Sequence, residues 1–330
     1  MGINPLAARV ENEVVAMGLA RRGLDSFKPG LGDIIPSVYG FCARPDREGD
    51  LPWVVMEVKS GVGLDEVFGE LEVEMKDDVM GQVADVFAGL RCAVSLGGVG
   101  GGVTRGEPWG RYEDLLKGRL RHELGDAEKS VVIRGWKGNG VRERLEGLIE
   151  RFTLSESGLG LGLEERVLVH GDFTMNNILI DPTTNKLTAL LDFDFACIAH
   201  PAHEFLVSLQ DLGGNIMGPY GEDPTEGKLS QALLSGDFSE DVSGDLWWIG
   251  KTLNEKLKER GVRRPCDMMP GMKVLKEWRA LEQLICPFHL AAPFIVQKMT
   301  EEQRMGARMG AEEELVAQME VLDGLLGGRC

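Results

Sequence analysis

His170-Gly171-Asp172-Phe173-Thr174-Met175-Asn176-Asn177, followed by Leu191-Asp192-Phe193-Asp194, is the stretch around which the rest of the chain organises. Arg166-Val167-Leu168-Val169 just before it predicts a short strand. Asn177 to Ile180 and Leu187 to Leu191 predict a hairpin, closed by the turn-forming run Asp181-Pro182-Thr183-Thr184-Asn185. Asp172 and Asn177 are therefore expected on one loop held between strands, facing the end of the hairpin that carries Asp192.

The residue types suit magnesium-assisted transfer of a phosphoryl group. That chemistry is mostly positioning and charge neutralisation: one carboxylate near the acceptor hydroxyl, and two oxygen ligands that hold magnesium on the ATP phosphates. An Asp, an Asn five residues on and a second Asp at a strand end match this layout, with Asp172 as base and Asn177 and Asp192 as metal ligands. Taken singly, each has a plainer reading as a turn former or strand terminator. The three at this spacing favour the chemical one.

At these residues the chain resembles the aminoglycoside phosphotransferase family, a branch of the protein-kinase-like fold whose loop reads His-Gly-Asp-four residues-Asn. The resemblance extends to Val10-Glu11-Asn12-Glu13-Val14-Val15-Ala16-Met17, Ile35-Pro36-Ser37-Val38-Tyr39-Gly40 and Ala196 to Phe205, which look like fungal members. It covers about residues 10 to 210; the C-terminal third fits as a generic helical lobe. What it implies is an α+β, two-lobe kinase-like fold. Residues 1–58 would form a partial small β lobe ending in the hinge, and residues 59–330 a large, mainly helical lobe with the catalytic loop and the metal-binding hairpin. It also implies ATP and Mg2+ as cofactors, a small-molecule hydroxyl acceptor, and His170 as a loop-bracing residue.

Two departures from the family pattern bear on the site. Where the family usually has Gly-Asp-Pro-x-x-Asp, this chain has Ala199-His200-Pro201-Ala202-His203-Glu204, and Glu204 keeps the charge. The family also opens with a glycine-rich hairpin and a strand bearing the Lys that grips the nucleotide phosphates, and nothing upstream of Glu13 supplies either. The chain is thus expected to be truncated inside its small lobe. Asn4 and Pro5 predict a helix start and Gly23 its end, so residues 5 to 22 read as one helix with Leu6, Val10, Val14 and Met17 as its apolar stripe. On a wheel of about 100° per residue, Glu13 lies roughly 60° from the stripe centre. It is either the helix Glu that pairs with the phosphate-binding Lys or a solvated carboxylate at the rim.

Ile34 to Phe41 and Trp53 to Val58 predict two strands joined by the polar turn 44–50. By resemblance, backbone groups of Met56, Glu57 and Val58 would hold the adenine ring, and Lys59-Ser60-Gly61 would pass into the large lobe. Without a Lys-bearing partner, the strand Val54 to Val58 would present an unpaired apolar edge.

At 330 residues, with 43% hydrophobic and 27% charged residues, the chain can bury a large core. No apolar run approaches the roughly 20 residues that span a bilayer. No secretory signal is evident. Met1-Gly2 lacks the Ser or Thr that an acylation site wants, with Leu6 in its place. Cys42, Cys92, Cys197, Cys266, Cys286 and Cys330 are scattered without a C-x-x-C pair, which argues against zinc and disulfides and for a reducing cytoplasm. A net charge of -17 disfavours nucleic acid and anionic membranes as partners.

The large lobe predicts helices over Leu64 to Phe68, Lys76 to Ser95, Tyr112 to Leu124, Val141 to Phe152, Pro201 to Leu212, Gly244 to Arg260, Met272 to Ile285 and Glu301 to Leu326. The run Gly97 to Gly102 lacks the ending of a phosphate loop and reads as a connector. Trp247, Trp248, Trp278, Phe288 and Phe294 read as core ahead of an acceptor pocket. Two rival functions remain. One is a catalytically impaired pseudokinase or truncated chain acting as a binding protein. The other is a metallohydrolase using His170, Asp172, Asp192, Asp194, His200 and His203 as metal ligands.

Overall fold

The structure, a computed structural model, describes residues 6–43, 51–93, 110–154, 159, 161–217, 224–240 and 242–327. The helix start at Asn4 and Pro5, the turn 44–50, the glycine run 97–102 and Cys330 lie outside the described residues.

The chain opens with helix α1 (Leu6–Phe27), a 3-10 turn over Leu31–Ile34, and strands β1 (Val38–Cys42) and β2 (Trp53–Met56). Strand β3 (Val62–Gly63) runs into the short helix α2 (Leu64–Val67), and α3 (Val73–Cys92) follows. Helices α4 (Tyr112–Lys129) and α5 (Val141–Arg151) precede strand β4 (Val167–Val169). The hairpin β5 (Ile178–Asp181) and β6 (Lys186–Leu190) comes next, then β7 (Cys197–Ala199). The rest is helical: α6 (Glu204–Val207), α7 (Pro224–Ser235), α8 (Asp245–Glu259), α9 (Gly271–Ile285), α10 (Phe288–Ala291), α11 (Pro293–Val296) and α12 (Glu301–Gly327).

These elements form two compact units. One spans residues 3–109 and 164–269 and contains the described strands; the other spans 1–2, 110–163 and 270–330 and is helical where described. In the first, α3 is the central helix. It packs on α1, α8, β4 and β6, burying Val79, Met80, Val83, Val86, Phe87 and Leu90. The Phe87 ring meets Phe173 edge-on at 5.8 Å and Phe205 at 5.6 Å, so the core helix lies directly beneath the loop that bears Asp172.

Two strand pairings bring the loop and the Asp192 segment together. β4 pairs antiparallel with β7, Val169 opposite Cys197, so the chain enters the loop beside the point where it leaves the Asp192 segment. β5 pairs with β6, Ile178 opposite Leu190, and the Leu191 N–H donates to the Asn177 carbonyl at 2.8 Å. Asn177 and Asp192 are therefore neighbours through backbone pairing alone. Asp181 closes the hairpin turn by accepting from the Thr183 N–H at 2.8 Å, as the turn sequence predicts.

Several expected boundaries move. α1 continues past Gly23 to Phe27 because Gly23 is a packing position: a Cβ there would lie 2.7 Å from Ala93 backbone and side-chain atoms. The buried seam of α1 is Asn12, Ala16, Met17, Ala20 and Leu24, rotated from the expected stripe because small alanines allow the close approach. The expected helix Pro201 to Leu212 stops at Val207, after a 3-10 turn over Pro201–His203. The strand expected from Ile34 begins only at Val38. β3, β7 and α7 were not expected from the sequence pattern.

In the second unit, the Trp278 ring stacks on Phe152 at 3.6 Å, and Trp136 Nε1 donates to the Ile285 carbonyl at 2.7 Å. Glu282 on α9 is buried between Arg119 at 2.8 Å and Arg279 at 2.6 Å. Trp278 is a core residue here, as Trp247 is in the first unit, whereas Phe288 and Phe294 are exposed.

Candidate active site

Asp172 follows two residues whose backbone is clamped by one buried carboxylate. Glu204 accepts from the His170 N–H at 2.8 Å and the Gly171 N–H at 2.9 Å. Its position in the family pattern is thus filled by a group that braces the loop, an acidic side chain satisfied by two backbone donors. Gly171 has φ +84°, and a Cβ there would lie 2.5 Å from the Phe195 carbonyl oxygen. Only glycine allows the loop to pass so close to the Asp192 segment.

His170 ties the two segments together. Burial holds its pKa below the ordinary imidazole value, against the raising effect of Glu204 and the Leu191 bond, so the ring is neutral. Its Nδ1 accepts from the Asp172 N–H at 3.3 Å, which leaves the proton on Nε2, 2.9 Å from the Leu191 carbonyl. The ring also lies 4.6 Å from the Phe193 ring.

Asn177 ends the 3-10 turn Met175–Asn177 and is buried. Its Nδ2 donates to the Asp172 carbonyl at 2.9 Å, to Asp172 Oδ2 at 3.0 Å and to Thr174 Oγ1 at 3.4 Å. With the amide nitrogen committed to Asp172, the oxygen Oδ1 is the atom left for a cation; Asn176 Nδ2 touches it at 3.2 Å. Asp192 has φ +59° and an exposed side chain, and its Oδ1 accepts from the Asp194 N–H at 3.4 Å.

Two residues of α1 anchor the same segment. Arg9 forms an ion pair with Asp194, and Asn12 Nδ2 donates to the Ala196 carbonyl at 2.8 Å. Glu13 lies beside them, half-buried. Its pKa is raised by burial and then by the Asp192 charge, with Arg9 acting in the opposite direction. The structure therefore brings Glu13 close to Asp192. Arg9 and Asn12 were missed from the sequence; the signal was their spacing of one helical turn and one residue from Glu13.

Met56, Glu57 and Val58 are placed elsewhere in the same unit. Met56 pairs with Val38, and the Glu57 N–H extends that ladder by donating to the Ser37 carbonyl at 2.8 Å. The Glu57 carboxylate accepts from Lys59 Nζ at 2.8 Å and the Ser37 N–H at 3.0 Å, which hold its pKa down at about 2. Val58 is 94% exposed. Among the described residues, Met56, Glu57 and Val58 make no hydrogen bond or ion pair with Asp172, Asn177 or Asp192. The chain beyond them is sewn to the β5–β6 hairpin, because Thr188 Oγ1 donates to the Ser60 carbonyl and β3 pairs with β5.

Asn177 Oδ1 and the Asp192 carboxylate form a hard oxygen donor set, which fits magnesium, an ion that keeps water and phosphate oxygens as its other ligands. The His-rich alternative is not assembled. His170 is committed as above, and His200 Nδ1 caps the following turn by accepting from the Ala202 N–H at 3.1 Å. Among the described residues no group of three or more His, Cys, Asp and Glu could hold a metal ion.

The description of the phosphotransferase enzyme family, as a sequence model, matches residues 6–229. Among solved structures, a candidate aminoglycoside phosphotransferase of Ralstonia eutropha JMP134 aligns over 95% of this chain and 83% of its own, at 13% identity and a TM-score of 0.49. The gentamicin complex of APH(2'')-IIa aligns over 94% and 83%, at 16% identity and a TM-score of 0.46. ADP-bound APH(2'')-Ib aligns over 86% and 76%, at 15% identity and a TM-score of 0.42. Comparison with curated proteins finds no match.

Proposed function

Because the chain belongs to the phosphotransferase enzyme family, we propose that it transfers the γ-phosphoryl group of ATP to a hydroxyl of a small molecule. The observation that carries this reading is Asn177, whose side-chain nitrogen is bonded to Asp172 while its backbone carbonyl accepts from the N–H of Leu191, the residue before Asp192. Asp172 takes the hydroxyl proton as the acceptor oxygen bonds to the γ-phosphorus and the bond from that phosphorus to the β,γ-bridging oxygen breaks, releasing ADP. Asn177 Oδ1 and Asp192 would hold magnesium, which would supply neutralisation of the phosphate charge. His170 and Glu204 fix the loop so that base and ligands keep their separation. Met56, Glu57 and Val58 supply the hinge, residues 1–58 the small lobe and residues 59–330 the large one. The cytoplasm, which holds ATP, is the proposed compartment. Among the described residues no helix is long and apolar enough to cross a membrane.

The test is phosphoryl transfer from ATP to a panel of hydroxylated, amine-bearing small molecules, comparing the unaltered chain with Asp172→Asn. Loss of a general base lowers turnover by about 10²- to 10⁴-fold, while magnesium-dependent ATP binding persists. Equal turnover in the two proteins sinks the base assignment. A second reading, nucleotide binding without transfer, is favoured by one observation. Glu13 faces Arg9 and Asp192, and among the described residues no lysine pairs with it. Binding of Mg·ATP with no transfer to any acceptor would select that reading.

A further inference from the structure

The segment from Ser208 to Asp211 lies where a helix was expected and is instead an irregular strap along the catalytic loop. α6 ends at Val207, and Leu209 adopts φ +69°, a left-handed conformation that a leucine rarely takes without being held. Bonds to the loop hold it. The Phe173 N–H donates to Ser208 Oγ, the Leu209 N–H donates to the Phe173 carbonyl at 3.1 Å, and the Met175 N–H donates to Asp211 Oδ2 at 2.9 Å. The far side of the strap is fixed in turn: Asn215 Nδ2 donates to the Ser208 carbonyl at 2.7 Å, and the Gly214 N–H to the Leu209 carbonyl at 3.0 Å.

The positions gripped are informative. Phe173 directly follows Asp172, and Met175 opens the 3-10 turn that ends at Asn177. The strap therefore grips the backbone at two points between base and metal ligand. Glu204 clamps the loop before Asp172, and the strap clamps it after. Asp211 gives only one oxygen to this task; its Oδ1 is buried without a hydrogen-bond partner. Keeping a buried carboxyl group there at that cost points to the Met175 bond as its purpose.

We propose that Asp211, with Ser208, is a positioning residue of the transfer site, setting through the Met175 N–H the placement of the turn that presents Asn177 to magnesium. The proposal rests on the phosphotransferase reading above. Neither side chain is placed against substrate; both act through the loop backbone.

The test is the magnesium dependence of ATP binding in the unaltered full chain, Asp211→Ala, Asp211→Asn and Ser208→Ala. Removing an outer partner of a metal ligand weakens metal affinity by roughly 10- to 100-fold. Asp211→Ala is expected to raise the half-saturating magnesium concentration by about 10-fold or more and to leave magnesium-free ADP binding unchanged, which a general loosening of the fold would not do. Asp211→Asn keeps an acceptor oxygen and is expected to restore most of the affinity. Ser208→Ala moves magnesium dependence in the same direction and decides the matter if Asp211→Ala does not fold. An unaltered chain that binds Mg·ATP, with unchanged magnesium dependence in the variants that fold, overturns the strap alone. An unaltered chain with no magnesium-dependent ATP binding overturns the phosphotransferase reading and this proposal with it.

Discussion

The Asn177 side-chain nitrogen donates to Asp172 Oδ2 at 3.0 Å and to the Asp172 carbonyl at 2.9 Å. One carboxamide thus fixes the orientation of the expected base through its nitrogen and leaves its oxygen as the atom that could meet a cation. The two roles need different atoms of the same group, which explains why an amide, and neither a carboxylate nor a hydroxyl, suits position 177.

Asn177→Asp separates those roles. It retains an oxygen for magnesium but sets a second acceptor against Asp172 Oδ2 and the Asp172 carbonyl, removing the donor that orients the base. Turnover is expected to fall by about 10²-fold or more, with a smaller change in magnesium half-saturation. Steady-state kinetics over a magnesium series checks this; a variant with unaltered turnover contradicts the orienting role.

Gly171→Ala tests the crossing of the two segments. The substituted residue would keep φ +84° and push its Cβ to 2.5 Å from the Phe195 carbonyl oxygen. A loss of about 1–3 kcal/mol is expected from the backbone conformation alone, with the steric contact adding to it. Urea unfolding gives the number, and a change within about 0.5 kcal/mol, the range of an inert surface substitution, would mean that the loop relaxes freely.

Acid stability should carry the mark of Glu282. Burial pushes its pKa up, but Arg119 and Arg279 together outweigh that and hold it below the ordinary value of 4.5. A folded-state pKa below the unfolded one means that the unfolded chain binds the proton first. The stabilisation is therefore fully present above about pH 4.5 and is lost as pH falls from there toward the folded pKa. Glu282→Gln should cost about 3–5 kcal/mol at neutral pH, because it leaves two arginines without their buried partner. The difference from the unaltered chain should shrink on acidification. A difference that stays constant from pH 7 to pH 3 contradicts the assignment.

Cys286 should be a slow thiol. Burial, then Glu123 and Asp126, pushes its pKa up to about 11, so little thiolate exists at neutral pH. Iodoacetamide at pH 7.5, with mass-spectrometric mapping, is expected to modify it far more slowly than a free cysteine. Rapid modification there would show that the thiol is not held in this environment.

The loop and hairpin were legible because their determinants are local. Asp172 and Asn177 are five residues apart, Asp181 builds its own turn, and the apolar runs at Val167 and Ile178 are bounded by turn residues. What sequence pattern missed depends on distant partners. Glu204 meets His170 and Gly171 from over thirty positions away, and the end of α6 at Val207 goes with the bonds of Ser208, Leu209 and Asp211 to the loop. Gly23 looks like a helix terminator but is a packing position, a distinction made only by Ala93 lying against it. β3 and β7 have two and three residues, too few to show a period.

The most direct measurement is calorimetric titration of the chain with ATP, with and without magnesium, beside Asp192→Ala. The account predicts tight binding that requires magnesium in the unaltered chain and loses that requirement, with most of the affinity, in the variant. Binding that is indifferent to magnesium, or equally magnesium-dependent in both proteins, would contradict the assignment of Asp192 and with it the central claim of the site.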